Sequence, residues 1–69
     1  MMRALRVNGA VENDDSATLA ELLARRGIDP AARFLAVAVN GTVVRRGEWA
    51  ARALASGDEI EIVRPLQGG

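Results

Sequence analysis

The hydrophobic residues follow two periods along the chain, and the change between them predicts where strands give way to a helix. Residues 3–7 alternate between polar and apolar, and a second short extended stretch, residues 10–12, follows Asn8-Gly9. Alternation is typical of a strand with one covered face, and Asn-Gly supplies the positive φ angles of a type I′ turn. The chain is therefore predicted to open with a β-hairpin.

A helical period replaces the alternation at residues 18–26. Three leucines fall at i, i+3 and i+4, so they share one face of a helix. Thr18 and Glu21 match a capping box at its start, and Gly27 stands where a glycine commonly follows a helix. The segment is predicted to be a short amphipathic helix lying on a sheet through Leu19, Leu22 and Leu23.

The next segments return to strand patterns. Residues 34–39 are apolar throughout, which favours a strand covered on part of both faces. Asn40-Gly41 predicts a second hairpin, into residues 42–44. Residues 48–54 have only weak helical spacing, which indicates a short helix or an irregular turn.

The last strand is predicted over residues 59–64, and regular pairing should stop at Pro65 because proline has no N–H to donate. Five strands and one helix in this order predict an α+β roll, in which the helix crosses one face of a mixed sheet. A chain of 69 residues has room for one core. Residues 1–64 are predicted to form one domain, and residues 65–69 a flexible C-terminal tail.

The composition excludes most of the side chains that commonly act in catalysis or bind metals. The chain has no cysteine and no histidine, so it offers no thiol nucleophile, no imidazole base and no usual zinc ligand, and no metal site is expected. Nine basic residues balance nine acidic ones, which gives no basic face for nucleic acid. No apolar run is long enough to span a membrane and no signal peptide is recognisable, so we expect a cytoplasmic location.

The conspicuous side chains have structural explanations. Phe34 and Trp49 are the two aromatic residues, and both are predicted to pack in the core, which needs their area in so small a domain. Arg45 and Arg46 are predicted to form a solvated face. A modest acidic patch near the tail, solvated or steering a basic partner, is predicted from Asp58, Glu59 and Glu61.

The Gly68-Gly69 end is the feature that a function must explain. Two glycines have no Cβ and accept any φ and ψ, so the last carbonyl can enter a narrow channel in another protein. Residues 65–69 reach about 17 Å when extended. The terminal carboxylate is ionised and repels nucleophiles, so it needs activation, such as conversion to an acyl adenylate. The chain has no nucleotide-binding motif, so a partner must bind the ATP.

Several motifs together point to a known family. They are Val7-Asn8-Gly9, Thr18-Leu19-Ala20-Glu21-Leu22-Leu23, Ala36-Val37-Ala38-Val39-Asn40-Gly41, Arg46-Gly47-Glu48-Trp49, Leu54, Gly57-Asp58-Glu59-Ile60-Glu61-Ile62-Val63 and Gly68-Gly69. Over nearly its whole length, the chain resembles the ThiS family, the sulfur-carrier proteins of thiamine biosynthesis. The resemblance implies a ubiquitin-like β-grasp fold, with a mixed five-stranded sheet and one main helix on one face.

The resemblance also implies that the chain is a protein co-substrate and not an enzyme. An E1-like adenylyltransferase of the ThiF type would use MgATP to adenylate the carboxylate of Gly69. Sulfur relayed from a cysteine desulfurase would convert it to a thiocarboxylate, from which thiazole synthase of the ThiG type would build the thiazole ring of thiamine. Gly68 and Gln67 would enter the partner's active site, while Pro65 and Leu66 would dock on its surface. The chain itself is expected to bind no cofactor.

Three other functions stay open at this point. The small subunit of molybdopterin synthase also ends in Gly-Gly and carries a thiocarboxylate. A ubiquitin-like modifier would instead form isopeptide bonds with lysines, which its adducts would reveal. A plain interaction module would keep its activity after deletion of Gly69.

Overall fold

The computed structural model describes residues 2–64 of the chain. Its strands are β1 (Arg3–Val7), β2 (Ala10–Asp14), β3 (Ala36–Val39), β4 (Thr42–Val43) and β5 (Glu59–Val63). The helix is α1 (Leu19–Arg25), and a 3-10 turn spans Arg46–Glu48. Each element overlaps a segment predicted from the sequence.

The strands form one mixed sheet in the order β2-β1-β5-β3-β4. β1 and β5 run parallel, and the other neighbouring pairs are antiparallel. The first and last strands of the chain are therefore neighbours in the middle of the sheet. The leucines of α1 share a core with one face of the sheet, which confirms the predicted α+β roll of the β-grasp type.

Both hairpins turn through Asn-Gly with the predicted geometry. Asn8 and Gly9 have φ angles of 50° and 86°, and Asn40 and Gly41 have φ angles of 52° and 82°. Positive φ at both central positions is the type I′ conformation, whose twist matches the twist of the flanking strands. The two turns thus fix the registers of β1–β2 and β3–β4.

A side-chain cap starts α1. The Thr18 hydroxyl accepts a hydrogen bond from the Glu21 backbone N–H at 3.3 Å. The Glu21 carboxylate accepts in turn from the N–H of Ala17 at 3.2 Å, one residue earlier than a standard capping box would use. Gly27, at a φ of 74°, follows the helix, and Ile28 then returns the chain to the core. Thr18 and Glu21 therefore cap the helix as predicted, with one partner shifted.

The core lies between α1 and the inner face of the sheet. Trp49 is 3% exposed, and its indole N–H donates to the carbonyl of Val44 at 2.9 Å, which confirms its predicted core position. A buried indole needs such a partner because an unpaired buried donor is costly. The other buried apolar side chains are Leu5, Val7, Leu19, Leu22, Leu23, Ile28, Leu35, Val37, Val39, Leu54 and Ile60.

Phe34, in contrast, is not in the core, and its prediction was wrong. Its side chain is 80% exposed and its φ is 60°, and β3 begins only at Ala36. The left-handed residue interrupts the extended path, and Leu35 takes the core position instead. Ala36 is exposed and Ala38 is half-buried, so the second face of β3 is covered only in part. Small alanines between larger residues made the run look uniformly apolar.

Candidate functional site

The residues predicted to act, Pro65, Leu66, Gln67, Gly68 and Gly69, lie outside the described residues. What the structure describes is the platform from which they leave, which ends with β5 and Arg64. The geometry of that platform decides where the chain end starts and what surrounds its starting point.

β5 is held on both sides along the sheet. On the β1 side, Val7 pairs with Ile60, and on the β3 side the pairing continues to Val63, the last residue of the strand, opposite Ala36. Ile60 is fully buried. Since β5 is flanked by strands on both sides, the chain end departs from the middle of a sheet and not from a free edge.

Asn8 extends the support of β5 beyond the end of β1. Its backbone N–H donates to the carbonyl of Ile60 at 2.9 Å. Its side-chain oxygen accepts a hydrogen bond from the N–H of Ile62 at 2.8 Å. This oxygen takes the position that a backbone carbonyl would occupy if β1 continued. The turn residue therefore fixes the part of β5 next to the tail. No sequence pattern links the two positions, which lie 54 residues apart.

Asn40 supports β5 from the other side, near its start. Its backbone N–H donates to the carbonyl of Glu59 at 2.7 Å, and its side-chain oxygen accepts from the N–H of Glu59 at 2.9 Å. Its amide nitrogen donates to Asp58 at 3.0 Å. Both Asn-Gly turns thus brace the strand that carries the tail, a role that the turn pattern alone did not reveal.

The predicted acidic patch does not include Asp58 as a solvated residue. This residue is 8% exposed, and its carboxylate accepts from the N–H of Ala55 at 2.9 Å besides the Asn40 contact. Asp58 is therefore a structural residue and not a solvated one. Glu59 and Glu61 are exposed on β5, but Glu59 begins the strand, about 13 Å from its tail end.

The tail end of the sheet carries arginines. β3 runs antiparallel to β4 and β5, so the start of β3 meets the ends of both neighbours. Arg33 precedes β3, Arg64 follows β5 and Arg45 follows β4, and all three side chains are exposed. After β4, a hydrogen bond from the N–H of Val44 to the carbonyl of Val37 at 2.9 Å continues the pairing.

Arg46 is exposed, as predicted for a solvated face, and its guanidinium is also held in a fixed position. Its guanidinium donates to the backbone carbonyls of Pro30 and Ala32, the latter at 2.6 Å. The same group lies 4.9 Å from the centroid of the Trp49 ring, in a cation–π contact. Arg46 therefore joins the loop before β3 to the core.

The described residues offer little other chemistry. Within residues 2–64, no group of three acidic, histidine or cysteine side chains could hold a metal ion. Among the titratable groups of residues 2–64, the carboxyl group of Asp14, beside the start of α1, has a shifted pKa. Burial raises the pKa of Asp14, but hydrogen bonding from Ser16 and the charges of Arg25 and Arg26 outweigh it, so its pKa is lowered. No helix in the same part of the chain is long and apolar enough to cross a membrane.

Comparison with known proteins agrees with this architecture. A crystal structure of a thiamine biosynthesis protein (ThiS) from Geobacter metallireducens superposes with a TM-score of 0.76 at 30% identity, covering 96% of this chain and 99% of that one. A solution NMR structure of a thiamine biosynthesis protein from the same organism gives the same TM-score and identity, with 87% of that chain covered. A comparison with curated proteins gave no match. The model of the ThiS family matches residues 3–69, and we conclude that the chain belongs to the ThiS family.

Proposed function

We propose that this chain is a sulfur carrier of thiamine biosynthesis and that it carries sulfur as a thiocarboxylate on Gly69. The observation that supports the proposal most directly is the family match, which continues beyond β5 through residue 69. The central position of β5 adds to it, because a strand held on both sides is a firm base for a terminal group that another protein must reach.

The chemistry of the chain end requires an external activator. A carboxylate is a poor acyl donor because nucleophiles are repelled by its charge, and adenylation replaces that charge with a leaving group. The carboxylate of Gly69 would attack the α-phosphate of MgATP and release pyrophosphate. The terminal sulfur of a partner's persulfide would then displace AMP to form an acyl disulfide, and a thiol reductant would cleave its S–S bond to leave the thiocarboxylate on Gly69. The chain has neither cysteine nor histidine, so these steps belong to partner enzymes and the chain acts as a co-substrate.

We assign two roles to the tail residues according to how far each follows Arg64 in the sequence. Gly69 bears the reacting carbonyl, and Gly68 and Gln67 enter the partner's active site with it. Glycine at the last two positions leaves the narrowest possible chain there. Pro65 and Leu66 come first after Arg64 in the sequence and would contact the partner's surface.

The proposed partners are those that the resemblance to the ThiS family implies. An E1-like adenylyltransferase binds MgATP and forms the acyl adenylate. A cysteine desulfurase is the indirect sulfur source, and thiazole synthase accepts the sulfur. Because the reaction consumes ATP, a cytoplasmic location is part of the proposal. The chain's own charges sum to zero, so recognition depends on local surfaces and not on net charge.

Intact mass spectrometry tests the proposal. The purified chain is incubated with the E1-like adenylyltransferase of the same organism, MgATP, a cysteine desulfurase, cysteine and a thiol reductant. We expect a mass gain that matches one oxygen replaced by sulfur, located on Gly69 by fragmentation. A control chain extended by one alanine after Gly69 should gain no sulfur, because its last carbonyl is displaced and hindered.

Two outcomes would contradict the proposal. An unchanged mass with an enzyme that is active on its other substrates would exclude sulfur carriage. Transfer of sulfur from the loaded chain to the large subunit of molybdopterin synthase, and not to thiazole synthase, would assign the chain to the molybdenum cofactor pathway instead.

A further inference from the structure

Phe34 combines two unfavourable features that the fold does not require. Its ring is 80% exposed, which leaves a large apolar surface in water. Its φ of 60° is in the left-handed region, where a side chain with a Cβ is strained. Glycine would satisfy the backbone at this position without exposing apolar surface. An aromatic residue in such a place suggests that the ring serves a contact outside the domain.

The segment around Phe34 is anchored on both sides. Upstream, the Arg46 guanidinium holds the carbonyls of Pro30 and Ala32. Downstream, Leu35 is buried in the core and Ala36 pairs with Val63 of β5. The ring is thus presented from a defined position, which lowers the entropy that a partner must remove on binding it.

Phe34 lies beside the point where the tail leaves the sheet. It precedes Ala36 by two residues, or about 7 Å of chain, and Ala36 faces the last residue of β5. The five residues after Arg64 span at most about 17 Å. A protein that acts on Gly69 must therefore approach this end of the sheet, and it will meet the exposed apolar side chains of Phe34 and Val63.

Three arginines without a carboxylate partner among residues 2–64 lie at this end of the sheet. Arg33, Arg45 and Arg64 follow or precede the three strands that meet here, and no carboxylate of residues 2–64 lies within ion-pair distance of them. The ion pairs of the described residues are elsewhere, at Arg25, Arg26 and Arg52. An apolar centre with a basic rim complements a pocket bordered by carboxylates.

We infer that Phe34 is a docking anchor for the adenylating partner, which presents an apolar pocket bordered by acidic side chains to receive the ring and the three arginines. Arg33, Arg45 and Arg64 guide the approach and set the orientation, and the ring supplies most of the affinity. The inference rests on the proposed function, since it names the surface by which the same partner recognises the chain.

Direct binding tests the anchor without requiring any chemistry. The E1-like adenylyltransferase is titrated calorimetrically with the chain in the absence of ATP, using wild type, Phe34→Gly and the control Val11→Thr. Val11 is exposed to a similar degree, but it lies on edge strand β2, at the other side of the sheet. We expect Phe34→Gly to raise Kd at least about tenfold, as the loss of a hot-spot aromatic does. Val11→Thr should stay within about twofold of wild type.

A thermal melt keeps loss of binding distinct from loss of folding. Glycine relieves the strained backbone, so the unfolding midpoint of Phe34→Gly should equal or exceed that of wild type. The same titrations at rising salt should show Kd increasing for wild type and a smaller increase for Arg33→Gln, Arg45→Gln and Arg64→Gln. Arg6→Gln, which removes one charge beside β2, should keep the wild-type salt dependence.

The outcomes separate this inference from the proposed function. Unchanged binding by Phe34→Gly, or an equal effect of Val11→Thr, would overturn the anchor while leaving sulfur carriage intact. Tight wild-type binding that depends on Phe34, without sulfur loading, would overturn the proposed function alone. Absence of wild-type binding would overturn the inference, as would a wild-type dimer that Phe34→Gly converts to a monomer, since the surface would then belong to a second copy of the chain.

Discussion

At the scale of single residues, the turn asparagines do more than reverse the chain. Asn8 and Asn40 have the positive φ that the turns need, and their side-chain oxygens accept backbone hydrogen bonds from β5. Each therefore combines a local conformational role with a long-range one. Glycine could satisfy the first role but not the second, and this difference makes the contribution of the side chain measurable.

We expect Asn8→Gly to lower the free energy of unfolding by about 1 kcal/mol, because the N–H of Ile62 loses its acceptor while the turn keeps its conformation. Amide exchange at Ile62 should become faster at the same time. Asn8→Asp, which keeps an acceptor oxygen and also tolerates positive φ, is the control and should protect Ile62 as wild type does. Equal protection of Ile62 in the glycine variant would show that the contact is unimportant.

A second residue-scale prediction concerns stability at Phe34. Replacing it with glycine should raise the free energy of unfolding by up to about 1 kcal/mol, because the left-handed backbone no longer opposes a Cβ and little buried area is lost. Phe34→Ala keeps the Cβ and should gain nothing. Urea denaturation of the two variants and wild type gives the comparison, and a glycine variant less stable than the alanine one would refute the strain argument.

At the scale of elements, α1 depends on its surroundings. Seven residues are too few for an isolated helix to persist in water, so caps and packing must hold it. Thr18 and Glu21 satisfy N–H groups at its start, and Leu19, Leu22 and Leu23 are buried. The turn before it is fixed by Asp14, which accepts from the N–H of Ser16 at 2.6 Å.

The lowered pKa of Asp14 gives this region a pH dependence of defined sign. A carboxylate with a folded pKa below its unfolded value of 3.8 stabilises the fold when ionised. That contribution is present above the unfolded value and disappears as the pH falls through the folded one. Asp14→Asn removes the charge but keeps an acceptor for Ser16.

We therefore expect wild type to be more stable than Asp14→Asn near neutral pH. The difference should hold down to about pH 5 and shrink as the pH falls below the unfolded value of 3.8 and through the folded pKa. Denaturant titrations across that range measure it. High salt should reduce the difference, because it screens Arg25 and Arg26. A difference that is constant with pH would contradict the assignment.

At the scale of the whole molecule, the buried apolar side chains of residues 2–64 form one cluster. The innermost position of β5, Ile60, belongs to it, and the exposed residues Val63 and Arg64 do not. The folded unit should therefore need nothing beyond β5. This agrees with the domain boundary predicted after residue 64, which stays a prediction.

Deleting residues 65–69 tests that boundary. We expect the free energy of unfolding of the truncated chain to lie within about 0.5 kcal/mol of the wild-type value, because the buried cluster of residues 2–64 stays complete. Sulfur loading should be lost completely, since the reacting carbonyl is gone. A large loss of stability would move the boundary and make the tail part of the domain.

The sequence predicts the architecture because its signals are local. Alternation at residues 3–7, the leucine spacing of α1 and the two Asn-Gly pairs each act over a few residues, and all agree with the structure. The errors come from features without a local signal. A left-handed conformation is rare for phenylalanine, and the burial of Asp58 depends on Asn40, 18 residues away.

The candidate site was predictable in part for the same reason. The proposed chemistry of the chain end rests on the last two glycines and on the resemblance to the ThiS family. The surface beside it could not be predicted, because Arg33, Arg45 and Arg64 come together only when β3, β4 and β5 are aligned. Their sequence neighbours give no indication of that arrangement.

The central position of β5 has a mechanical consequence. An enzyme that draws the chain end into a channel exerts force roughly along β5, which has ladder hydrogen bonds to β1 on one side and β3 on the other. Such a load shears the two ladders together, so many bonds resist it at once, whereas a hairpin at an edge would open one bond after another. A partner enzyme can thus bind and release the chain end many times while the rest of the molecule stays folded.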